Sequence, residues 1–257
     1  MTESSASRRV IEVMGTVFSL ELVDVVPEAV LGAVEADLRW VDEVFSTYRA
    51  DSALSRLASG RVSLCECPVE VGEVLDLCAV ASVQTDWWFS AMAAGKLDPT
   101  GLVKGWAIRR VDAILRGAGS ARHAINGGGD VLLGTSRGPG VPWTVGIADP
   151  RDPARLLATV KGAEMAVATS GTAERGAHIL DPFTGAAADQ VLSATVVGAD
   201  IVDADAYATA AVAMGPAAIG WLQTVAGYDA LLVTAAGQTL TTDQWQWPVT
   251  EPRLSHA

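Results

Sequence analysis

Positive charge is scarce in this sequence. The 257 residues include 30 aspartates and glutamates but only 18 lysines and arginines, so the formal net charge is −12 with neutral histidines. A strongly acidic chain repels the phosphates of nucleic acids and the anionic surface of membranes. We therefore expect neither as a partner, and we expect an anionic small ligand to need a local cation or backbone N–H groups.

Cysteine and histidine are also rare, with three residues of each type. Cys65 and Cys67 form a single C-x-C pair and Cys78 stands apart, whereas structural zinc sites use paired C-x-x-C motifs or clusters of cysteine and histidine. The counts argue against a zinc site. They favour reduced cysteines in a reducing compartment.

Long apolar runs are missing as well. No stretch of 18 or more apolar residues occurs, so no transmembrane helix is expected. The apolar run that follows the first arginines is interrupted by Glu12, Gly15 and Thr16, which is not typical of a signal peptide, and no lipoprotein cysteine follows the start. We therefore predict a cytoplasmic protein without membrane insertion.

The order of apolar patterns predicts an α+β (mixed α/β) fold. Hairpin-like segments outnumber strand–helix–strand repeats, so we expect antiparallel-rich sheets flanked by helices. Periodicity predicts helices from Pro27 to near Thr47 and over residues 69–88, 104–117, 203–214 and 216–225. We predict a flexible N-terminus over residues 1–8, a single domain over 9–247 and a C-terminal tail over 248–257.

Three consecutive glycines stand in the segment HAINGGGDVLLG, residues 123–134. Glycine adopts positive φ without steric cost, so Gly127, Gly128 and Gly129 suit a tight turn between two strands. They would also let successive N–H groups approach an anion. The motif is not the G-x-G-x-x-G of dinucleotide-binding folds. The residues alone favour the hairpin turn, and the ligand-binding loop stays open.

Two further segments combine a charged residue with a turn. In LDPTGLVKG, Asp98 precedes the turn and Lys104 opens the predicted helix, where its charge opposes the helix dipole. An anionic ligand or an aspartate partner would offset this charge, and a solvent-exposed lysine is the alternative. In HILDPFTG, His178 precedes a tight Asp-Pro turn. A structural histidine is the ordinary interpretation there, and the adjoining polar turn favours a functional one.

Asp205 and Thr209 are four residues apart in a predicted alanine-rich helix, so their side chains share one face. A carboxylate and a hydroxyl in this arrangement suit a hard cation such as Mg²⁺, which prefers oxygen ligands. The alternative is an aspartate that stabilises the helix N-terminus and a threonine that bonds to its own helix. Taken alone, the pair favours the structural alternative.

Seven segments in chain order together resemble the ApbE family of FAD:protein FMN transferases, also called flavin transferases. They are MGT, STYRADSALSRL, DPTGLVKG, AINGGGDV, ATSG, HILDPFTG and DADAYATA. The resemblance runs from about Met14 to Gly215 and implies a single ApbE-like domain. Many relatives are exported lipoproteins, whereas this sequence shows neither signal nor lipid-anchor cysteine. The segment TAERGAHIL is also short for the family, so docking of the acceptor is expected to differ.

The resemblance implies sites for FAD and for Mg²⁺. The residues expected to contact FAD are Met14, Tyr48, Asp98, Lys104, Asn126, Gly127, Gly128, Gly129, Asp130, Thr169, Ser170, Gly171, His178 and Ile179. The implied magnesium ligands are Asp205, Thr209 and the main-chain carbonyl of Gly101. Within this site Tyr48 is expected to stack on the flavin ring. The glycines would let the main chain run close to FAD, and Asp130 would fix the turn or a cofactor hydroxyl.

The activity implied by the resemblance is Mg²⁺-dependent transfer of FMN from FAD to a threonine or serine hydroxyl of a target flavoprotein, with release of AMP. His178 is the expected general base, because an unperturbed imidazole titrates near ~6.5. Asp205 is the second catalytic candidate. Two alternatives stay open, namely hydrolysis of FAD to FMN and AMP at the same site, and a flavin-binding protein without catalysis.

Overall fold

The computed structural model describes residues 6–171 and 179–250. In this part of the chain the strands are β1 (Ser7–Val13), β2 (Thr16–Leu22), β3 (His123–Gly127), β4 (Asp130–Leu133), β5 (Trp143–Asp149), β6 (Asp152–Gly162), β7 (Met165–Gly171), β8 (Val191–Gly198), β9 (Asp229–Thr234) and β10 (Thr239–Thr241). The α-helices are α1 (Glu28–Phe45), α2 (Ala53–Ala58), α3 (Val69–Gln84), α4 (Thr100–Gly117), α5 (Ile201–Met214) and α6 (Ala218–Leu222).

Eight of these strands form one sheet in the order β1-β2-β3-β4-β7-β8-β9-β10, and β5 pairs with β6 in a separate hairpin. Every neighbouring pair is antiparallel. The α+β fold with antiparallel sheets and flanking helices is therefore confirmed.

The central strands of the large sheet are buried on both faces. Along β7, Ala166 and Ala168 join the core shared with the helices, whereas Val167 joins a second core under the β5–β6 hairpin. This alternation is the two-residue period of a strand. The helices lie on one face and the hairpin on the other, and the site described below is on the helical side.

Several predicted helix bounds were wrong. Helix α4 begins at Thr100, so Lys104 lies in its second turn and does not open the helix. Helix α3 ends at Gln84, because Asp86 and Trp87 adopt left-handed φ values of 49° and 67° that a helix cannot contain. The last predicted helix is reduced to one 3₁₀ turn, Gly215–Ala217, followed by the five residues of α6.

Strand β6 was not predicted. Its first residues, Asp152 and Pro153, are typical of a turn, and its burial does not alternate cleanly along the strand. Its pairing with β5 also contains register shifts near Ala148. The strand therefore depends on tertiary packing that a period-two pattern does not reveal.

The predicted domain limits coincide only partly with the ordered elements. Strand β1 begins at Ser7, and near the other end Val249 bridges to Ala158 while the Thr250 N–H donates to the Leu157 carbonyl at 2.7 Å. Residues 251–257 lie outside the described part, and the limits stay predictions. Among the described helices, none combines the length and apolar character that a membrane-spanning helix needs.

Candidate functional site

Helices α4 and α5 approach each other closely at two glycines. A Cβ atom on Gly105 would lie 2.7 Å from the carbonyl oxygen of Ile201, and one on Gly101 would lie 3.1 Å from Cγ2 of Thr209. A side chain at Gly105 would force the helices apart, since real Cβ atoms do not approach backbone so closely. The two glycines therefore bring the main chain of α4 into contact with α5.

The predicted oxygen donors meet at this contact. Asp205 and Thr209 lie on α5 as predicted. The Gly105 N–H donates to Oδ2 of Asp205 at 2.9 Å, and Oγ1 of Thr209 lies 3.5 Å from the carbonyl oxygen of Gly101. In a regular helix the amide of residue 105 faces the carbonyl of residue 101. A carboxylate, a hydroxyl and a main-chain carbonyl therefore come together from two helices.

Asp130 connects the same helix to the sheet. Its side chain is fully buried, its Oδ1 accepts from the Thr169 N–H of β7 at 2.9 Å, and its Oδ2 forms an ion pair with Nζ of Lys104. The aspartate partner that the sequence offered for Lys104 is thus confirmed. The described contacts of the Asp130 carboxylate are with its protein neighbours, and its contact with FAD stays a prediction.

Ionisation of both carboxyls would leave negative charge in excess at this contact. Burial and the carboxylate of Asp130 together raise the pKa of Asp205 to about 8, while Lys104 and the Gly105 N–H act in the opposite direction without offsetting them. Two buried carboxylates share one ammonium. With both carboxylates ionised, the cluster carries one negative charge more than its lysine neutralises, and a bound cation would remove that excess.

Strand β7 adds two hydroxyls beside this cluster. The Oγ of Ser170 lies 3.1 Å from Oγ1 of Thr209, and Thr169 shares a 2.9 Å hydroxyl contact with Thr195 of β8. Gly171 is required by the strand pairing, because a Cβ there would lie 2.4 Å from the Leu192 carbonyl oxygen. These residues form a polar wall next to α5.

Asp98 lies at the start of α4. Its Oδ1 accepts from the N–H of Thr100 at 3.0 Å and from its hydroxyl at 2.6 Å. These bonds satisfy donors at the first turn of the helix and fix the turn that carries Gly101. Asp98 is half-buried, so it also remains available to a ligand at this end of the helix.

The glycine segment forms the predicted hairpin turn. Gly128 and Gly129 connect β3 to β4 with φ values of 58° and 92°, and the Gly129 N–H donates to Oδ1 of Asn126 at 3.0 Å. Positive φ at both central residues is the signature of a type I′ turn. A Cβ on Gly127 would lie 2.7 Å from Cε1 of Phe18. The hairpin turn is confirmed, and contact of these glycines with FAD stays a prediction.

Met14 and Tyr48 lie on the α1 side of the sheet. Met14 and Gly15 form a similar turn between β1 and β2, with φ values of 56° and 66°, and this turn borders a cavity of about 510 Å³ that Arg49 also lines. Tyr48 is 93% exposed. None of the α4–α5 oxygen donors lines this cavity, so the buried polar cluster is the stronger functional candidate.

His178 lies outside the described residues, and its neighbour Ile179 is buried in the helical core. Three residues of the site were not predicted from the sequence: Gly105, which donates to Asp205, Thr100 and Thr195. The four-residue spacing of Gly101 and Gly105 was a usable signal for close helix packing. Nothing local marks Thr195, because its partner is 26 positions away.

The donor set suits a magnesium ion. No group of three or more metal-binding side chains occurs within residues 6–171 and 179–250, so a protein cage of carboxylates is not present there. Mg²⁺ usually takes one or two protein carboxylates and completes its shell with water and substrate phosphates. One carboxylate, one hydroxyl and one carbonyl beside a cluster with excess negative charge fit that pattern.

The fold and these motifs together define a known family. The family model described as ApbE family matches residues 73–232, which is more than half of the chain, and the chain belongs to that family. It is 30% identical over 129 residues to the FAD:protein FMN transferase of Vibrio cholerae O395, a match that covers 46% of this chain and 39% of the relative. A protein of the same name from Escherichia coli K12 is 25% identical over 155 residues, covering 56% and 44%.

Each match thus spans less than half the length of these relatives. Solved structures support the fold over nearly the whole chain. The flavinyl transferase ApbE of Pseudomonas stutzeri, in its apo form, has a TM-score of 0.78 at 20% identity, covering 95% of this chain and 97% of that one. The ApbE protein of Thermotoga maritima has a TM-score of 0.79 at 21% identity, covering 93% and 97%.

Proposed function

We propose that this protein transfers FMN from FAD to a threonine or serine hydroxyl of a target flavoprotein and releases AMP, in a Mg²⁺-dependent reaction. The observation that carries the proposal is the meeting of Asp205, Thr209 and the Gly101 carbonyl at one contact between α4 and α5. Family membership and the names of the curated relatives support flavin transfer as the reaction.

Asp205, Thr209 and the Gly101 carbonyl would hold the magnesium ion. When bound, the ion would neutralise phosphate charge and stabilise the leaving group. The three donors leave coordination positions for water and for phosphate oxygens, which is what a phosphoryl-transfer site requires.

The chemical step balances as a substitution at phosphorus. The oxygen of the acceptor hydroxyl forms a bond to the FMN phosphorus, and the bond between that phosphorus and the bridging oxygen breaks. AMP departs with the bridging oxygen, and the hydroxyl proton passes to a base. The proposed base is His178, whose ordinary pKa range suits proton transfer near neutral pH.

Residues of the chain would do most of the positioning. Lys104 provides positive charge beside Asp205 in a protein whose net charge of −12 opposes FAD. Asp98 and the strand β7 residues Thr169 and Ser170 would border the cofactor. Holding the phosphate and the hydroxyl in line lowers the barrier by removing the entropy cost of bringing them together. A cytoplasmic location remains a prediction of the sequence.

The decisive experiment is mass spectrometry of a candidate acceptor flavoprotein after incubation with this protein, FAD and Mg²⁺. We expect a mass gain equal to one FMN on the acceptor and a matching release of AMP. An acceptor whose target threonine is replaced by alanine is the matched control and should gain nothing. Free FMN with no labelled acceptor would indicate FAD hydrolysis, and unchanged FAD would indicate a binding protein.

A further inference from the structure

Two buried carboxylates compete for one lysine at the α4–α5 contact. Asp130 is fully buried and Asp205 is 2% exposed, while the side chain of Lys104 is 19% exposed. In this structure the ammonium is ion-paired with Asp130. Asp205 accepts a hydrogen bond from the Gly105 N–H, which is a neutral donor.

Lys104 is placed where it could also pair with Asp205. It stands on α4 next to Gly105, whose amide contacts the Asp205 carboxylate. Lys104 is ion-paired with Asp130 and adjoins Gly105, which donates to Asp205, so the three charged groups belong to one cluster. A lysine side chain is flexible and turns readily between neighbouring carboxylates. An ammonium on Asp205 would compete with a metal ion for that carboxylate.

Asp130 itself has little freedom to move. Its Oδ1 accepts from the main-chain N–H of Thr169, which belongs to a strand paired on both sides within the sheet. The carboxylate therefore presents its second oxygen to Lys104 from a fixed place on the sheet. An ammonium bound there is held at the first residue of β4 and is paired with Asp130, although it remains near Asp205.

We propose that Asp130 is a positioning residue that acts through Lys104: it holds the ammonium against the sheet and so leaves the Asp205 carboxylate free for the metal ion. The inference rests on the proposed function, because it takes the metal site from there. It differs from a merely structural ion pair between α4 and β4, which would affect stability without changing how metal binding and FAD binding depend on each other.

The test measures FAD affinity by calorimetry with and without excess Mg²⁺ in four proteins. These are the wild type, Asp130→Asn, Lys104→Met and the double variant. The ratio of the two dissociation constants reports the coupling between metal and FAD. We expect Asp130→Asn to reduce this ratio by about 10-fold, the scale seen when a residue that supports a metal ligand is replaced. The double variant lacks Lys104, so its ammonium cannot pair with Asp205, and the ratio should equal that of Lys104→Met.

A matched control replaces a carboxylate near the other end of α4, the helix that carries Lys104. Asp112 is also ion-paired and partly buried, so Asp112→Asn should lower the melting temperature and leave the Mg²⁺ ratio unchanged. An unchanged ratio in Asp130→Asn, or a double variant that stays as low as Asp130→Asn, would overturn the inference. If Asp130→Asn does not fold, the double variant is compared with Lys104→Met alone, and a difference between their ratios would overturn it.

Failure of the proposed function has a different signature. If the wild type itself binds FAD equally with and without Mg²⁺, the assignment of the metal site is wrong. The role proposed for Asp130 is then wrong as well, because it depends on that site. If the wild type shows the coupling and the variants do not alter it, only the role of Asp130 is wrong.

Discussion

A carboxylate network lies beside each end of helix α4, and the two networks differ in the partners that the described residues provide. Near the C-terminal end, Asp112 accepts from Nε2 of His123 at 2.8 Å and from Nε of Arg116 at 2.9 Å. Near the N-terminal end, within the described residues, Asp205 accepts a hydrogen bond from the neutral Gly105 N–H and lies near both Lys104 and a second carboxylate, Asp130. We call the first network closed and the second open.

The pKa values of the two carboxyls express this difference. Burial raises the pKa of Asp112, but the hydrogen bonds from His123 and Arg116 outweigh it and leave the pKa below its ordinary value. Burial and Asp130 raise the pKa of Asp205 to about 8. The carboxylate of Asp112 is stabilised in its ionised form by its neighbours, whereas the raised pKa of Asp205 is consistent with the proposed binding of a cation there.

The largest expected effect on the reaction proposed for the open network comes from replacing His178, the proposed base. His178→Ala should slow FMN transfer by roughly 10²–10⁴-fold, the usual scale for loss of a general base, with little change in FAD affinity. The wild-type rate should rise with pH through the titration of His178. Transfer rate, FAD affinity and melting temperature should be measured on one preparation. Near wild-type transfer by His178→Ala would place the base elsewhere.

The open network can be tested at the proposed metal ligands. Asp205→Ala and Thr209→Ala should each lower the transfer rate by on the order of 10²–10³-fold, because the charge developing on the phosphates would lose its counterion. FAD binding without Mg²⁺ should persist. Steady-state transfer at saturating FAD and Mg²⁺ is the measurement, and full activity of Asp205→Ala would refute the ligand assignment.

The closed network should respond in stability alone. His123→Leu removes a fully buried partner of Asp112 and should lower the free energy of unfolding by about 1–3 kcal/mol. Because the folded pKa of Asp112 is depressed, this contribution is present above its unfolded value of 3.8 and is lost as pH falls through the folded value. Urea unfolding at several pH values tests this. If His123→Leu altered the FAD affinity, the networks at the two ends of helix α4 would be coupled.

The smallest expected effect concerns the metal-free protein. The folded pKa of Asp205 lies above the unfolded value of 3.8, so the folded state binds the extra proton and its stability falls as pH rises between the two values. Asp205→Asn should therefore raise the melting temperature by roughly 5 °C near pH 8 and by less near pH 5. Added Mg²⁺ should stabilise the wild type and not the variant. A rise in melting temperature that is the same at all pH values would contradict the raised pKa of Asp205.

Local features of the site were predictable from the sequence. The hairpin turn at Gly128 and Gly129 follows from the conformational freedom of glycine, and the shared face of Asp205 and Thr209 follows from the helical period. The aspartate partner of Lys104 was one of three alternatives that the sequence left open.

Tertiary features were not predictable in the same way. The burial of Asp130 depends on a bond to Thr169, 39 positions away, and the role of Gly105 depends on an aspartate 100 positions away. No local pattern encodes such distances. Strand β6 was missed because its burial is set by β5 and by the second core, and not by its own alternation.

The separation of the donors along the chain also has a consequence for synthesis. Gly101 and Thr209 are 108 positions apart, so the oxygen cluster belongs to the contacts of highest sequence separation, which close late in folding because of the loop entropy that precedes them. A nascent chain that has emerged only through β7 already carries Asp130 and Lys104 and still lacks both donors of α5. Until α5 is added, the growing chain contains both residues of the lysine–aspartate pair and lacks the two α5 side chains of the proposed metal site.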